Sequence, residues 1–290
     1  MNALFTSVLL SLALAPAADD VTIRWKLAKD DTFYTKTVTV MEQTMSVMGN
    51  DMEQNHTQTA VSKYKVLKAD DTGTVIEQTT VRTQVEGNIP GIGDAAKKLN
   101  GSVLTFTLDP EMKVTKVEGF QAMLDKIADG NDEVLKLIKG SISEDMYKMS
   151  VEDLFRVGAA KPIAVGDTWK KNYDMPLGPL GHMEMNAKYK YEGPDSGVEK
   201  ITFTADAKFG PPKEGAELGP VTIVKADMKT DSFSGTILFD AKAGRLKEVK
   251  TEMKMNGTMT MKAMGNEIEI GMKQKTKSTN TVSTNNPADD

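Results

Sequence analysis

Histidine chemistry is confined to two residues of this sequence, His56 and His182. Each stands in a strand-like segment near an acidic residue, Glu53 for the first and Glu184 for the second. A zinc site would need ligands at short, regular spacings, and neither histidine has them. The chain has no cysteine, which excludes thiolate ligands and disulfides. The sequence therefore predicts no metal site and no cofactor, and both histidines are expected on solvent-facing sides of strands.

Residues suited to nucleophilic catalysis are equally scarce. No serine stands in a Gly-x-Ser-x-Gly segment between a strand and a helix, and Gly91-Ile92-Gly93 lacks the following glycine and helix of a phosphate loop. The 41 acidic residues can supply a carboxylate pair for glycoside hydrolysis, but 2 Trp and 6 Tyr offer few platforms for sugars. We therefore predict a non-catalytic protein with no catalytic residue.

Methionine is the unusual feature of the composition, at 19 residues. Its side chain is flexible and polarizable, so it adapts to irregular apolar partners. We predict a concave, methionine-lined sheet face that binds a lipid-like or other hydrophobic small molecule, with six candidate ligand-binding residues: Met253, Met255, Met259, Met261, Met183 and Met185. The alternative is a core sealed by helices, in which case the protein is a structural or protein-interaction module without a ligand.

The segment that positions most of these methionines alternates apolar and polar residues from Met253 to Ala263. This period of two is that of a half-buried β-strand and not of a helix. A turn at Gly265-Asn266 and renewed alternation from Glu267 to Met272 predict a hairpin. From Thr251 to Met264 the strand would span about 45 Å at about 3.3 Å per residue, so it must belong to a large, curved sheet.

Further strands follow from alternating segments separated by turn residues, which predicts antiparallel meander connections. They cover 21–27, 32–47, 52–67, 74–86, 102–108, 112–117, 166–169, 183–192, 201–209, 221–230 and 233–240. The spacing becomes helical from Gly119, with caps at Asn131 or Asp132 and at Ser143, and a separate short helix over 151–155. The predicted fold is mainly β, a large curved antiparallel sheet or half-barrel of about a dozen strands with a short helical insert.

The chain ends and composition indicate an exported protein. An apolar run from Leu4 to Leu14, followed by Ala15-Pro16-Ala17, is typical of a secretory signal peptide cleaved before Ala18. We expect a signal peptide over 1–17, a first β half over 18–118, a helical insert over 119–162, a second β half over 163–281 and a disordered tail over 282–290. A net charge of −5 argues against nucleic acid as a partner. No membrane span is predicted, and the oligomeric state is left open.

Three short signatures recur in the same order in the two predicted halves. Ala28…Asp31-Thr32-Phe33 matches Ala164…Asp167-Thr168-Trp169, Tyr64-Lys65…Asp71-Thr72-Gly73 matches Tyr189-Lys190…Asp195-Ser196-Gly197, and Gly101-Ser102-Val103-Leu104 matches Gly235-Thr236-Ile237-Leu238. The consistent order predicts an internal duplication, with shared β-strand composition as the alternative explanation.

The Asp-Thr-Phe/Trp strand starts, the Leu-Gly-Pro-Leu-Gly turn at 177–181 and the segments Gly235–Asp240 and Gly244–Leu246 carry a family resemblance. In these motifs the chain resembles a family of uncharacterised exported bacterial proteins, a domain of unknown function. The resemblance implies export and a β-rich fold, and it transfers no catalytic residue. In architecture the predicted half-barrel is also similar to periplasmic lipoprotein carriers, which does not fix its function.

Overall fold

The structure is a computed structural model that describes residues 20–87, 92–159, 161–176, 181–210, 216–218, 221–263 and 266–288. The predicted signal peptide, residues 177–180 of the predicted turn and Gly265 lie outside these residues. The strands are β1 (Thr32–Val47), β2 (Asn50–Asp70), β3 (Gly73–Gly87), β4 (Val103–Leu108), β5 (Val114–Glu118), β6 (Thr168–Pro176), β7 (His182–Asp195), β8 (Val198–Gly210), β9 (Ala216–Leu218), β10 (Val221–Asp240), β11 (Arg245–Ala263) and β12 (Asn266–Ser283). The helices are α1 (Ile92–Lys97), α2 (Phe120–Ala128), α3 (Asp132–Ser141) and α4 (Glu144–Phe155).

All twelve strands belong to one antiparallel sheet, with the order β5-β4-β3-β2-β1-β12-β11-β10-β8-β7-β6 and β9 beside β10. Among the described strands, consecutive ones pair with each other except β5 with β6 and β8 with β9. The first and last strands also pair, from Tyr34–Ser283 to Val47–Ile270. The sheet stays open between β5 and β6. The prediction of a large antiparallel sheet of about a dozen strands is confirmed.

Helix α4 lies between the two open edges of the sheet. At one edge, the Val114 N–H of β5 donates to Glu152 Oε1 at 2.9 Å. At the other edge, the Lys171 ammonium of β6 donates to the Arg156 carbonyl just after the helix. Because both edges reach one helix, and that helix packs on the face carrying the hydrophobic core, the core face is concave where α4 lies. We call this side of the sheet the concave side along the whole length of the strands.

The helical insert follows the predicted caps. The Asn131 side chain accepts hydrogen bonds from the N–H groups of Glu133 and Val134, both at 3.0 Å, and the Ser143 hydroxyl accepts one from Met146 N–H at 3.2 Å. The separate helix predicted over 151–155 is wrong, because α4 continues through it. Within α4, the Ser150 hydroxyl donates to the Tyr147 carbonyl one turn earlier.

Two strand predictions need correction. Residues 21–27 form a single bridge, between Val21 and Ile163, because the alternating side chains of Ile23 and Trp25 are buried against the core instead of joining a ladder. The two strands predicted over 221–230 and 233–240 are one strand, β10, because the extra residue between them is absorbed in a bulge. At the C-terminus, β12 extends to Ser283, and Arg82 Nη1 donates to the Ala288 carbonyl at 3.2 Å.

An aromatic cluster fixes α4 to the centre of the sheet. Phe155 lies 5.1 Å from Trp25, 6.2 Å from Phe33 and 6.3 Å from Tyr64, measured between ring centroids. The Trp25 indole N–H donates to the Leu154 carbonyl at 2.9 Å. Burial of the Tyr64 phenol raises its pKa to about 12. The cluster therefore joins the N-terminal segment, β1, β2 and α4 in one packed unit.

The predicted repeat also appears in the hydrogen bonds. Asp31 Oδ2 accepts from Ala28 N–H at 2.8 Å, and Asp167 Oδ2 accepts from Ala164 N–H at 3.0 Å. The rings that follow pair across strands in the same way, Phe33 with Tyr64 at 5.0 Å and Trp169 with Tyr189 at 5.4 Å. In each half, the backbone carbonyl of this aspartate also accepts a hydrogen bond from a backbone N–H of the following strand, β2 in the first half and β7 in the second. Two short motifs thus make equivalent contacts at the starts of β1 and β6.

Replacing Phe155 by alanine should lower the free energy of unfolding by about 3–5 kcal/mol, because it removes a fully buried ring from the aromatic cluster. Urea denaturation followed by circular dichroism measures the loss. Val134→Ala, at a position 38% exposed on α3, is the control and should change stability by less than about 0.5 kcal/mol. Equal effects of the two substitutions would contradict the packing described.

Candidate functional site

The methionines gather on the concave face of the sheet. Residues directly opposite each other in a ladder share a face, so the register assigns each methionine a side. Twelve of the nineteen lie on the concave face: Met41, Met45, Met52, Met175, Met183, Met185, Met228, Met253, Met255, Met259, Met261 and Met272. The six predicted ligand-binding residues are among them. The strands thus place these six on one surface, four on β11 and two on β7.

Burial divides the six predicted residues into two groups. Met183 and Met185 are buried, with 9% and 8% of their surface exposed, and they belong to the hydrophobic core. The four on β11 are half-buried and lie outside that core cluster. We call the surface formed by these four with Met41, Met45, Met228 and Met272 the methionine face. It continues the core along the strands, half-buried on β11 and buried on β10, where Met228 is 8% exposed.

The concave side of the central strands carries no charge. In β1, β2, β10, β11 and β12, the register places no Asp, Glu, Lys or Arg on the face that carries the core residues. The two charged residues on that side of the described flanking strands are Lys171 on β6 and Glu199 on β8, and each is bonded within the protein. Charged residues of the central strands therefore stand on the opposite side, so the concave side is apolar or neutral polar along its length.

The two histidines are not brought together. His56 on β2 and His182 on β7 are separated in the sheet by β1, β12, β11, β10 and β8. The expectation that both face solvent is wrong for His56, which is half-buried on the concave side with its Nδ1 atom buried. His182 is 42% exposed and its Nε2 lies 3.8 Å from Glu184 Oε1. Among the described residues, no three His, Asp or Glu side chains group to hold a metal ion.

A second candidate site lies where α4 meets β6. A pocket of about 390 Å³ is lined there by Met149, Glu152, Asp153, Arg156, Lys171, Asn172, Tyr173 and Asp174. The Tyr173 hydroxyl lies 3.0 Å from that of Tyr189, and Lys171 Nζ lies 5.4 Å from the centre of the Tyr189 ring. Few water molecules can surround this group of Asp, Lys and Tyr side chains, so their protonation equilibria shift.

The pKa shifts of Asp153 and Lys171 both oppose ionisation of these side chains. Displacement of water around the Asp153 carboxylate raises its pKa to about 6, against the opposing effect of Lys171. The same desolvation lowers the pKa of Lys171 to about 8, with Asp153 acting in the opposite direction. Tyr173, which is bonded to Asp153 and Tyr189, also has a raised pKa, and desolvation is again the main cause. Asp153 as a residue remains exposed at the pocket mouth, so solvent moderates its shift.

A broader polar cleft, of about 870 Å³, lies on the opposite side of the central strands. Its charged lining residues include Glu42, Glu86 and Asp231 together with Lys254, Lys273 and Lys275. Asn256 Nδ2 donates to Asp231 Oδ1 at 2.6 Å at the bulge of β10. Its lining also includes Met41, Gln43, His56, Met255 and Gln274, which the strand register places with the methionine face on the other side of the same strands.

Sequence reasoning missed the α4–β6 pocket and the polar cleft. One signal for the pocket was present in β6, where Trp169, Lys171, Tyr173 and Met175 occupy the inward positions. A lysine between two aromatic residues interrupts an otherwise apolar inward row. No local signal indicated the cleft, because its walls come from β1, β2, β3, β10, β11 and β12.

Comparison with protein families matches residues 55–267 to a family of unknown function, DUF6263. The chain belongs to the DUF6263 family. This match confirms the resemblance to a family without an assigned function. A comparison with curated proteins finds no match.

Solved structures give only distant likenesses to this DUF6263 chain. Lipovitellin has a TM-score of 0.44 at 10% identity over 87% of this chain, which spans 25% of the lipovitellin chain. The outer membrane protein OprG from Pseudomonas aeruginosa has a TM-score of 0.21 at 8% identity, covering 88% of this chain and 96% of OprG. A candidate outer membrane lipoprotein-sorting domain from Vibrio parahaemolyticus has a TM-score of 0.13 at 10% identity, covering 82% and 83%. With TM-scores below 0.5, these likenesses carry no argument about function. Among the described residues, none of the helices is both long and apolar enough to cross a membrane.

Asp153 should make stability fall as pH rises between about pH 4 and about pH 6. In that window the unfolded chain has already released the Asp153 proton, whereas the folded protein, with its pKa raised to about 6, retains it. The folded state then binds more protons, so the contribution of Asp153 to stability decreases with pH and becomes constant above the window. Urea midpoints of the wild type and Asp153→Asn, measured from pH 4 to 7, should show the wild type losing stability relative to the variant. Asp206→Asn, at an exposed position of β8 outside this pocket, is the matched control, and a pH-independent difference for Asp153→Asn would contradict the shift.

Proposed function

We propose that this protein is an exported, non-catalytic binding protein that holds a lipid-like or other hydrophobic molecule on its methionine face. The observation that supports the proposal best is the absence of charge from the concave side of five central strands. A concave surface that is apolar or neutral over such a length is suited to an acyl chain. Methionine adapts its shape, so one surface can accept chains of different length or unsaturation.

The partial exposure of the β11 methionines distinguishes this proposal from a sealed core. Met253, Met255, Met259 and Met261 keep part of their surface open, whereas core residues such as Phe106 and Phe239 have none exposed. Strand β11 is 19 residues long, or about 60 Å at about 3.3 Å per residue, far more than α2 or α4 can cover. An apolar surface left partly open at this scale favours a partner from outside the fold.

Changing Met255 and Met259 together to lysine should abolish binding of an uncharged apolar dye and leave the protein folded. On a half-open surface the lysine ammonium groups can reach water along their flexible stems. We therefore expect a loss of stability of no more than about 1 kcal/mol and a loss of dye fluorescence enhancement. The measurements are a thermal melt and a dye titration of the protein purified without detergent.

Thr258→Lys with Thr260→Lys is the matched control, because these residues lie between the methionines and point to the opposite side of β11. The control should retain dye binding. If the methionine variant unfolds, the face is sealed core, since two unpaired buried charges cost several kcal/mol out of a total of about 5–15 kcal/mol. That result would favour the alternative of a structural or protein-interaction module.

Export is the part of the proposal that rests on the first 17 residues alone. The apolar run and the Ala15-Pro16-Ala17 segment are those of a cleavable secretory signal, which would deliver the mature chain to the periplasm or the exterior. A protein outside the cytoplasm with a neutral concave face is suited to holding a lipid-like molecule in an aqueous space.

Expression of the full sequence in a bacterial host should yield a mature chain that begins near Ala18. The intact mass of the exported protein, measured by mass spectrometry, should lack about the first 17 residues because signal peptidase cleaves after a small-x-small segment. Ala15→Asp with Ala17→Asp should block this cleavage. Recovery of an exported chain that still begins at Met1 would contradict the signal peptide.

A further inference from the structure

The concave side has a polar but uncharged patch within its apolar surface. It lies on β1, β2 and β12, between the core at one end of these strands and Met45, Met52 and Met272 at the other. Its main members are Gln43, Gln54, His56, Gln58, Gln274 and Ser278. Three of them form one row, in which Gln54, Gln43 and Gln274 lie directly opposite one another. The same row continues through Met255 to Thr230.

Several polar atoms of this side lack hydrogen-bond partners. Seven buried side-chain atoms among the described residues have no partner, and five of them lie on the concave side: His56 Nδ1, Gln78 Oε1, Trp169 Nε1, Thr230 Oγ1 and Asn280 Oδ1. Such an unpaired atom lowers the stability of the folded protein, because it has lost its hydrogen bonds to water and has formed none within the protein. Gln78, Trp169 and Asn280 lie beside the hydrophobic core, whereas His56 lies within the polar patch, where a group of a bound molecule could complete its bonding.

We call Gln54, Gln43 and Gln274 the glutamine row. The hydrogen bonds that its side chains make within the protein can be replaced by hydrogen bonds to a ligand. Gln43 Nε2 lies 2.9 Å from the Met272 sulfur, which is a weak acceptor. Gln274 Nε2 donates to Thr276 Oγ1 at 3.0 Å on its own strand. A carbonyl oxygen is a stronger acceptor than a thioether sulfur, so a ligand carbonyl placed over this row could replace the Gln43 contact.

We infer that the ligand of the methionine face is a neutral acyl amphiphile, in which an ester, amide or hydroxyl group next to the chain lies on the glutamine row. This inference rests on the proposed function and narrows it. The methionine face accommodates the acyl chain, and the adjacent side chains of Gln43 and Gln54 bond the polar linkage.

The absence of charge excludes an ionised group from the same position. No lysine or arginine of the central strands lies on the concave side to pair with a carboxylate or phosphate. Placing an ionised group on this surface would remove it from water without a counter-ion, which is far more costly than burying an ester. An anionic head group would have to remain outside, at the open end of the strands.

The test compares two probes with the same chain, monolaurin and laurate at pH 8, by displacement of the uncharged dye N-phenyl-1-naphthylamine. Monolaurin is neutral and laurate is ionised, so the wild type should bind monolaurin at least about tenfold more tightly. Gln43→Leu keeps a side chain of similar size and removes the amide that faces the linkage. It should weaken monolaurin binding about threefold to tenfold and leave dye affinity unchanged.

Thr258→Val on the opposite side of β11 is the control and should change neither affinity. Gln54→Leu is a second variant, which should reduce the preference for monolaurin over laurate with the dye still bound. Equal affinity for both probes, unchanged in Gln43→Leu and Gln54→Leu, would overturn this inference and leave an apolar binding face in place. Failure of the wild type to bind the dye at all would overturn the proposed function and this inference with it.

Discussion

The open edges of the sheet impose the main constraint on this structure. A strand edge presents unpaired N–H and C=O groups, and an exposed edge invites pairing with another chain. Here the two edges, β5 and β6, both reach α4, which accepts the Val114 N–H through Glu152 on one side and bonds Lys171 on the other. Phe155 on the same helix packs into the aromatic cluster at the sheet centre. One helix therefore sets the curvature of the sheet, covers part of its concave side and occupies the gap between its edges.

Curvature and charge distribution act together to produce the candidate site. A flat sheet with an uncharged side would bury that side against another layer or aggregate. In this protein α2 and α4 cover one end, where Phe33, Tyr64 and Phe155 pack. The long strands continue past the helices, and there the inward residues change from aromatic and aliphatic to methionine and glutamine. The change in side-chain type along one face marks the boundary between packing that holds the fold together and surface that is left for a partner.

Much of the fold could be predicted because its signals are local. The alternation in β1 and β11, the caps at Asn131 and Ser143 and the Asp-Thr strand starts all depend on neighbours in the chain. Because successive side chains of a strand point to opposite faces of the sheet, the sequence also predicted that the methionines of β11 lie on one face. What could not be predicted depends on contacts between distant elements. Residues 21–27 alternate like a strand, but tertiary packing of Trp25 decides their state, and the pKa values of Asp153 and Lys171 depend on the meeting of α4 with β6.

The pairing of β1 with β12 has a consequence for how the chain reaches this state. Thr39 and Ser278, which bond across this ladder, are 239 residues apart. Contacts so distant in sequence require the ends of a long chain to find each other, which makes folding slow relative to proteins rich in local contacts. Until the last strand is synthesised and delivered, β1 has an unpaired edge in the middle of the future sheet. The edge of β1 that pairs with β12 is therefore exposed to non-native pairing until β12 is in place.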